Sequence, residues 1–538
     1  MINKELLNEG VKLLTEKKFN EADKIFDELI ESNSENLAIL GVLSNFFIKA
    51  NQPKNAKKCL RKICHIKEDF NTIKTLASLE YETMDFDLAA ALLTKVVENQ
   101  PDEKSYEMLV NSFYRLGLFS NALKHAEDML EHFPENISAV LNVINNLVHI
   151  GKAQEAEQLC FEYLKKYPKS PNLWVQLGLL QEHIYGNNKQ ALECFLNAYK
   201  LDDNLETSTT LYHIAVGYDR LNDFDNALIF YKKYLEAHPN DPSGSSSLGM
   251  TYLRKKMFKE GFEEFFKRDV SKFSIEGNSN NLYKLGDKFE ENILIVCDQG
   301  LGDHLQFIRY LPLIKDKFKT IQVACLEPLV ELFRENYPDI EFLHYVDMDK
   351  EKQAIRICDI PYLFNIDFDN IPFSNGYLDT TPTNIKSDKF KVGLCWEAGG
   401  TGIRGPLDRT VNPKYLEPIF ELENIDFYLL QLGDTFDFLK THPQIINLGK
   451  DFKNFKDTAQ AVKVMDAVIC VDTSVLHLVG AMGVKAFLLL PYISDWRWFD
   501  DTKTTPWYDS VEIFKQTEPI NWEEQIKEII CRLKELSS

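Results

Sequence analysis

The sequence predicts an α-helical solenoid in the first half of the chain and an α/β region with parallel sheets in the second half. A short pattern of small and apolar residues recurs through the first half, and after Phe273 short apolar runs alternate with amphipathic stretches. The first feature is typical of helical repeats, and the second of parallel strands joined by crossover helices. The 538 residues suffice for about three domains, which we predict at 1–273, 288–385 and 386–538.

The repeating unit has a small residue, an apolar or aromatic residue four positions later, and a second apolar residue three positions after that. The small residues are Ala22, Ala56, Ala89, Ala122, Ala156, Ala191, Ala227 and Gly261. Offsets of four and three place these side chains on one helical face, where the small residue lets a neighbouring helix approach closely. The pattern resembles tetratricopeptide repeats and covers residues 3–272 as about eight units.

Stacked repeats of this kind bury apolar faces between neighbouring units and leave an extended concave surface. We expect this surface to bind a peptide or a protein. The alternative is a scaffold or an oligomerisation surface that holds no peptide.

Composition excludes several classes of protein. A balance of 82 acidic and 61 basic side chains gives a net charge of −21, which argues against binding to nucleic acid. The first residues lack an apolar signal core, and no apolar run reaches the roughly 18 residues of a membrane-spanning helix. Ten scattered cysteines without a C-x-x-C pair favour neither disulfides nor a zinc site, so we expect a cytoplasmic protein.

In the second half, short apolar runs predict buried strands and the amphipathic stretches between them predict helices. The strands are predicted at 292–297, 320–325, 392–396, 427–431, 467–471 and 485–490. The helices are predicted at 305–318, 328–336, 415–422, 457–465 and 474–482. In open α/β sheets, ligands bind beyond the carboxyl ends of the strands, so the loops after these strands are the candidate sites.

The loop after the first strand contains Gly300 and Gly302, which match the start of a dinucleotide-binding fingerprint. The third glycine of that fingerprint would fall at Leu305, so an NAD site is not favoured. The glycine turn delivers Asp303 and His304 to the start of a helix. Asp303 is either a cap of that helix or a catalytic group.

A second loop, after the strand at 467–471, contains Asp472, Thr473 and Ser474 at the predicted start of a helix. Free amides at a helix N-terminus bind anions, which suits a pyrophosphate. His477 lies one turn into that helix and faces the same loop; the alternative is a packing histidine.

A third loop, at 397–410, has four glycines followed by arginines. Glycines permit close approach of the backbone or a mobile lid. Arg404 and Arg409 supply cations that suit a leaving diphosphate; the alternative is that they pair with Asp408 and nearby acids at the surface.

A fourth segment, after the strand at 485–490, is rich in tryptophan. Trp496, Trp498 and Trp507 are three of the six tryptophans of the chain. They either stack on a base or a sugar, or pack a C-terminal extension as an aromatic cluster.

Taken together, these loops resemble heptosyltransferase-type (family 9) glycosyltransferases. The resemblance is carried by Gly300-Leu301-Gly302-Asp303, Arg409-Thr410 and the segment 471–478. With the segments at 490–498 and 506–508, the chain resembles more closely the bacterial subgroup with N-terminal tetratricopeptide repeats. The resemblance implies a GT-B architecture, in which two Rossmann-like lobes face each other, with the acceptor toward the first lobe and the nucleotide sugar toward the second.

The same resemblance implies an inverting, metal-independent transfer that needs no cofactor beyond the nucleotide sugar. Asp303 would then be the general base that accepts the proton of the acceptor hydroxyl. The residues expected to bind the donor are Arg409, Gln431, Asp472, Thr473, Ser474 and His477, with Gln431 facing the nucleobase. Gly300, Gly302, His304, Arg404, Trp496 and Trp498 are further candidates. The first lobe is short for this family, and no lysine follows the first strand of the second lobe, so Arg404 or Arg409 must replace it.

The leading hypothesis is a glycosyltransferase whose repeats recruit a polypeptide acceptor, such as flagellin or another surface protein. A groove that holds the chain raises its effective concentration at the cleft. One alternative is a non-catalytic interaction protein with a degenerate GT-B module, and another is a glycosyltransferase acting on a lipopolysaccharide or saccharide. Two Asp-x-Asp pairs, at 347–349 and 367–369, lie in polar connecting segments, so a metal-dependent mechanism is not favoured.

Overall fold

The computed structural model describes the chain as a helical array followed by two β-sheets. The described residues are 3–202, 209–268, 282–284, 286–345, 352–399, 409–433, 437–499 and 503–538. They form two compact units, the first of residues 1–184 and 193–202, and the second of residues 185–192 and 203–538. The second unit therefore contains the last two helix pairs together with both sheets.

The helical array consists of antiparallel pairs. Its helices are α1 (Lys4–Thr15), α2 (Phe19–Glu31), α3 (Leu37–Lys49), α4 (Pro53–Ile66), α5 (Phe70–Glu82), α6 (Phe86–Asn99), α7 (Glu103–Arg115), α8 (Phe119–His132), α9 (Ile137–His149), α10 (Ala153–Lys166), α11 (Pro171–His183), α12 (Asn188–Leu201), α13 (Thr210–Arg220), α14 (Phe224–Ala237), α15 (Pro242–Arg254) and α16 (Phe258–Phe266). The predicted solenoid is thus confirmed.

The sequence pattern explains why the helices begin and pack where they do. Side chains of Asn36, Asp69 and Asp102 accept hydrogen bonds from the first turns of α3, α5 and α7, so the cap recurs with the repeat. The small residue of each unit lies on the second helix of a pair and is buried. At Gly261 even an alanine would be too large, because an added Cβ would lie 2.6 Å from Leu253 Cγ on the neighbouring α15.

The first sheet is entirely parallel. Its strands are β1 (Asn292–Val296), β2 (Thr320–Cys325), β3 (Glu341–His344) and β4 (Gln353–Arg356), in the order β3-β2-β1-β4. In the register, Ile293 pairs with Ile321 on one side and with Gln353 on the other. The helices α17 (Leu301–Phe307), α18 (Leu311–Ile314), α19 (Glu327–Asn336) and α20 (Ile360–Leu363) follow or connect these strands.

The second sheet has the order β10-β11-β9-β8-β5-β6-β7 and is parallel except for β10, which pairs antiparallel with β11. Its strands are β5 (Phe390–Cys395), β6 (Ile425–Leu429), β7 (Ile445–Asn447), β8 (Ala467–Val471), β9 (Ala486–Leu490), β10 (Thr504–Thr505) and β11 (Tyr508–Lys515). Its helices are α21 (Asp437–Thr441), α22 (Phe455–Val462), α23 (Ser474–Ala481) and α24 (Glu523–Ser537). The α/β region with parallel sheets is confirmed.

Each of the six predicted strands is present; two match at both ends, and the ends of the other four differ by at most two residues. The predicted helix at 305–318 was wrong in its extent, because α17 ends at Phe307 and 3₁₀ turns flank the short α18. The predicted helix at 415–422 is a 3₁₀ helix, Pro413–Glu421, and contains Pro418, which cannot donate an α-helical hydrogen bond.

The strands of the two sheets lie within the predicted ranges 288–385 and 386–538. The predicted end of the first domain, at residue 273, falls outside the described residues. Among the helices that the structure describes, none is both long and apolar enough to cross a lipid bilayer.

Candidate active site

A cleft within the second compact unit brings the loop after β1 together with the loop after β8. Its first cavity has a volume of about 350 Å³. Gly300 and Asp303 line it from the first loop, and Asp472, Thr473 and Ser474 line it from the second. The two loops that the sequence singled out therefore share one cavity.

Asp303 is both a helix cap and a cavity residue. Its Oδ2 accepts a hydrogen bond of 3.0 Å from the amide of Gly300, one turn earlier. Its Oδ1 pairs with Nη2 of Arg497, and its side chain is 18% exposed. Burial raises the pKa of Asp303 above its usual value, although the charge of Arg497 opposes this shift. The cap therefore holds one oxygen of the carboxylate and the ion pair with Arg497 holds the other, while the residue itself lines the cavity.

Arg497 is a residue of the cleft that the sequence analysis did not assign. Besides Asp303, its guanidinium donates to Asp495 Oδ1 at 2.7 Å and to Gln306 Oε1 at 2.7 Å. It also lies over the ring of Trp496. This fork holds Asp303 in one orientation, which Lys could not do with a single ammonium group. The sequence signal that could have identified it is the segment Asp495-Trp496-Arg497-Trp498, which lies shortly after the buried strand β9.

The N-terminus of α23 contributes free amides to the first cavity. Thr473 is the residue before the helix, in an extended conformation, and its side chain makes no capping hydrogen bond. Ser474 begins the helix. The positive end of the helix dipole and these amides favour an anion at this position.

Asp472 and Arg409 lie beside this helix start. Arg409 Nη1 is 3.9 Å from Asp472 Oδ2, and the Arg409 side chain is 43% exposed. Burial, followed by repulsion from Asp495, raises the pKa of Asp472 to about 6, despite the opposing charges of Arg409 and Arg497. Arg409 is thus a cation that remains accessible to a ligand. Arg404, the other predicted cation, lies outside the described residues.

His477 lines the first cavity but is held by packing. Its Nδ1 lies 2.9 Å from the hydroxyl of Tyr508, and its ring stacks on Trp498 at 5.5 Å. Burial lowers the pKa of His477 to about 3, so the ring is neutral near pH 7. A neutral ring supplies no positive charge to a diphosphate but keeps one N–H donor.

Gly302 is a point of close contact between α17 and His477 of α23. A Cβ at this position would lie 2.8 Å from His477 Cδ2, a distance that real side chains do not tolerate. Glycine at 302 therefore permits α17 to pack on α23. Gly300 precedes α17 as its N-cap residue.

Two predicted site residues do not reach the cavity. His304 is fully buried, with Nε2 3.3 Å from the hydroxyl of Tyr345, and burial lowers its pKa to about 4. Gln431 is 6% exposed, and its Oε1 accepts hydrogen bonds from the amides of Trp396 and Glu397 at 3.0 and 3.1 Å. In this arrangement the Gln431 amide group holds the turn after β5, and its expected position facing the nucleobase stays a prediction.

The tryptophans form an aromatic cluster, as the alternative interpretation expected. Trp498 is fully buried and Trp496 is 2% exposed. Trp496 meets Trp507 edge to face, with ring centroids 6.0 Å apart. Their faces are thus covered by protein, which favours the packing alternative over stacking on a base or a sugar.

Two more cavities adjoin these elements. A second cavity of about 450 Å³ shares Asp303, Arg409, Asp495 and Arg497 with the first. A third cavity of about 710 Å³ lies beyond the carboxyl end of β5, where Trp396, Glu397, Thr410, Tyr415 and Trp522 line it.

A buried ionic cluster joins the end of the last repeat to the loop that carries Asp303. Arg268, two residues after α16, donates to Asp298 Oδ2 at 2.9 Å and to Asp359 Oδ1 at 2.5 Å. Arg356 donates to Asp359 Oδ2 at 2.6 Å. Burial would raise the pKa of Asp298, but the charges of Arg268 and Arg356 outweigh it and hold the pKa below its usual value. Asp298 begins the loop, so this junction fixes where the loop starts.

Comparison with known proteins identifies the repeats. The family model described as tetratricopeptide repeat matches residues 209–241, which include α13 and α14. The chain therefore contains a tetratricopeptide repeat at these residues, within the helical array that precedes the α/β region. It is similar to Protein FlbA of Caulobacter vibrioides, with 23% identity over 479 residues, covering 79% of this chain and 78% of FlbA. A match of that length extends through both the repeats and the sheets.

Other similar proteins match only part of the chain. Photosystem I assembly protein Ycf3 of Synechococcus sp. (strain CC9605) is 33% identical over 81 residues, which are 15% of this chain and 47% of Ycf3. The crystal structure of MamA matches with 19% identity and a TM-score of 0.26, over 30% of this chain and 91% of MamA. A thermophilic tetratricopeptide-repeat protein of Thermus thermophilus matches with 20% identity and a TM-score of 0.30, over 34% of this chain and 100% of that protein.

Proposed function

We propose that this protein is an inverting glycosyltransferase that moves a sugar from a nucleoside-diphosphate sugar to a hydroxyl group. The acceptor is a polypeptide recruited by the repeats, such as flagellin or another surface protein. One observation carries the proposal: Asp303 lines the same cavity as Thr473 and Ser474, the residues at the start of α23. This combination of a base and an anion site is what displacement of a diphosphate from a sugar requires.

In the proposed reaction, the acceptor oxygen attacks the anomeric carbon of the donor from the side opposite to the diphosphate. The new carbon–oxygen bond forms while the bond to the diphosphate oxygen breaks, and the diphosphate leaves with the bonding electron pair. Asp303 takes the hydroxyl proton. Its raised pKa makes it a stronger base than an ordinary aspartate, provided that it is ionised.

The leaving diphosphate gains negative charge in the transition state, so its stabilisation is the main demand on the site. The amides at Thr473 and Ser474 and the exposed guanidinium of Arg409 supply this stabilisation without a metal ion. Each lines the first cavity. The nucleoside would occupy the third cavity, because chain neighbours line the two cavities: Glu397 and Thr410 line the third, and Gly399 and Arg409 line the first. The amide of Ala398 donates to the Thr410 hydroxyl at 3.2 Å and so connects the two segments.

We also propose a cytoplasmic location for this enzyme. All ten cysteines are free thiols. A reducing compartment preserves this state, whereas secreted proteins of comparable cysteine content usually form disulfides.

Donor binding is tested first, with a thermal-shift panel of nucleoside diphosphates and nucleotide sugars. A ligand at 100 times its Kd stabilises the folded protein by about 2.7 kcal/mol, which is a measurable shift in Tm. We expect one base to be preferred. If no nucleotide shifts the Tm and no nucleotide sugar is hydrolysed, the non-catalytic scaffold is the better description.

Catalysis is tested by Asp303→Asn with Asp495→Asn as the matched control. Both residues line the same cavities and bind the same Arg497. Removing the base should lower donor turnover about 10²–10⁴-fold and leave donor binding intact. Asp495→Asn should cost less than about tenfold. Equal losses in the two variants would mean that Asp303 acts only by supporting Arg497, and the assignment of the base would fail.

A further inference from the structure

The second cavity has one wall from the loops of the cleft and another from the repeats. Asp303 and Arg497 line it on the cleft side. On the other side, α13 contributes Tyr212, and α15 contributes Ser243, Ser246, Ser247 and Met250. The solenoid therefore forms part of the cavity that contains the proposed base, within the same compact unit.

The side of the second cavity that α13 and α15 form, here called the repeat wall, is fixed relative to the cleft. Arg254, at the end of α15, donates to the carbonyl of Ser494 at 2.8 Å, directly before the cavity residue Asp495. The same guanidinium donates to Asp219 Oδ2 on α13 at 2.8 Å. One arginine thus ties both wall helices to the loop that carries Asp495 and Arg497.

The surface of this wall is uncharged and rich in hydroxyl groups. Ser243 is exposed, Ser246 and Ser247 are half-buried, and Ser247 Oγ lies 3.1 Å from the hydroxyl of Tyr212. Hydroxyl groups both donate and accept hydrogen bonds. They therefore suit a backbone that presents amides and carbonyls in alternation.

We propose that the second cavity is the acceptor site and that its occupant is a polypeptide segment carrying a serine or threonine hydroxyl. This inference rests on the proposed transferase function. Asp303 is common to both cavities, so one carboxylate can take the proton of an acceptor in the second cavity while the donor lies in the first. The last two repeats then act as part of the active site and not only as a recruiting arm.

The charges of the cavity disfavour a phosphorylated saccharide or lipid acceptor. Three arginines line it: Arg268 and Arg497 are paired with Asp298 and Asp303, and Arg409 is the cation that the proposed reaction assigns to the donor diphosphate. Two of the aromatic residues that line it are covered, since Trp496 is 2% and Phe265 5% exposed. The third, Tyr212, is half-buried and packs against Tyr231 and Tyr234.

The step in this site is a balanced group transfer. The serine or threonine oxygen of the peptide bonds to the anomeric carbon, and the bond between that carbon and the diphosphate oxygen breaks. The hydroxyl proton passes to Asp303, and the diphosphate takes the bonding electrons. The products are an O-glycosylated peptide and a nucleoside diphosphate.

The test narrows the second cavity without touching the first. In the full chain, Ser246→Phe fills the cavity from α15, and Ser243→Trp does so from an exposed position that should not disturb folding. Ser120→Phe is the matched control, since Ser120 is a serine on α8 that lines neither cavity. The probes are a labelled nucleotide sugar and a library of nonapeptides with a central serine or threonine, with a phosphorylated core oligosaccharide in parallel.

We expect the unaltered chain and Ser120→Phe to label peptides. Both cavity variants should lose about tenfold or more in kcat/KM for the peptide, with donor hydrolysis by water and the diphosphate-induced Tm shift within about twofold. The inference is overturned if the variants label peptides as well as the unaltered chain does. It is also overturned if the oligosaccharide is labelled in place of peptides, or if the donor is hydrolysed and no peptide is labelled. Failure to bind or hydrolyse any donor would instead refute the transferase function itself.

Discussion

Asp472 is a carboxyl group that the folded state keeps in an unfavourable environment. Its pKa is raised from an ordinary value of 3.8 to about 6, first by burial and then by Asp495, with Arg409 and Arg497 opposing. Because the folded-state pKa is the higher one, the ionised carboxylate destabilises the fold above about pH 6. This destabilisation decreases below about pH 6 and disappears near pH 3.8, the ordinary pKa of an aspartate. An anion-binding site commonly sacrifices stability in this way.

We therefore predict that Asp472→Asn stabilises the protein at alkaline pH. A pKa difference of this size corresponds to about 2–3 kcal/mol at pH 8, and the gain should vanish near pH 4. The measurement is the free energy of unfolding in urea at pH 8, 6 and 4. A gain that does not depend on pH, or a loss at pH 8, would contradict the raised pKa.

Arg497 is a positioning residue, and its charge also tunes the proposed base. It opposes the rise in the pKa of Asp303 that burial causes. Arg497→Gln removes the charge and should raise the pKa of Asp303 further. The acidic limb of the pH–kcat profile, where protonation of Asp303 abolishes activity, should then move to higher pH. Arg497→Lys retains the positive charge but loses the bidentate guanidinium contacts. It should therefore lower kcat, with a smaller shift of the acidic limb than Arg497→Gln causes.

The pH dependence of kcat in these two variants separates positioning from general structural support. A role in folding alone would lower the rate in both variants and leave the acidic limb where it is. Tm values measured alongside show whether the fold is retained.

At the scale of elements, the cleft depends on the close packing of α17 on α23. Only glycine fits at 302, where a Cβ would lie 2.8 Å from His477 Cδ2. Gly399 lines the same cavity, and nothing lies within 4 Å of a Cβ added there among the residues that the structure describes. Two glycines that line the same cavity therefore differ in whether they can accommodate an alanine side chain.

We predict that Gly302→Ala displaces the loop that carries Asp303. It should lower turnover by about 10²-fold, since misplacement by about 1 Å has that effect, and destabilise the fold by about 1–3 kcal/mol. Gly399→Ala should change neither quantity appreciably. Turnover and urea unfolding of both variants check this; an active Gly302→Ala enzyme would show that the packing is not critical.

The elements also show what sequence can and cannot predict. The repeats were predictable because each unit carries its own small residue and many carry a helix cap, so the signals are local. The strands β8 and β9 were predictable as unbroken apolar runs, whereas β4 contains Gln353 and Arg356 and β7 has only three residues.

The site was predictable only in part, for a physical reason. The loops around Asp303 and Ser474 follow buried strands, and both reach the first cavity. Arg497 lies 194 residues from its partner Asp303, and no local pattern encodes a contact over that separation. His304 and Trp498 have side chains that suit either a ligand or a core, and burial alone decided between them.

At the scale of the whole molecule, the last repeat belongs with the α/β region. Phe258 and Phe262 of α16 are buried in one apolar core with residues of both sheets. Phe258 stacks on Trp507 at 5.7 Å, and Phe262 meets Trp496 edge to face at 6.1 Å. A boundary drawn at the end of the repeats would cut through this core.

We predict that two truncations behave differently. Removal of residues 1–184 takes away most of the first compact unit and should leave a protein that still binds nucleoside diphosphate. Removal of residues 1–270 also removes α16 and Arg268, which exposes Trp496 and Trp507 and leaves Asp298 with one fewer cation. Loss of one partner of a buried ion pair costs about 3–5 kcal/mol, so this second protein should aggregate. Size-exclusion chromatography and nucleotide-induced Tm shifts test both; a folded, nucleotide-binding product of the longer deletion would contradict the shared core.

The ionic cluster around Arg268 has a consequence for how this architecture can vary. Repeats added or lost upstream would change the length of the helical array without disturbing this junction. The terminal pair cannot be exchanged for a generic repeat, because a replacement without the arginine would strand Asp298 and Asp359 in an apolar interior. Chimeras of this protein should therefore be joined before α13, so that the terminal helix pair and Arg268 remain with the two sheets.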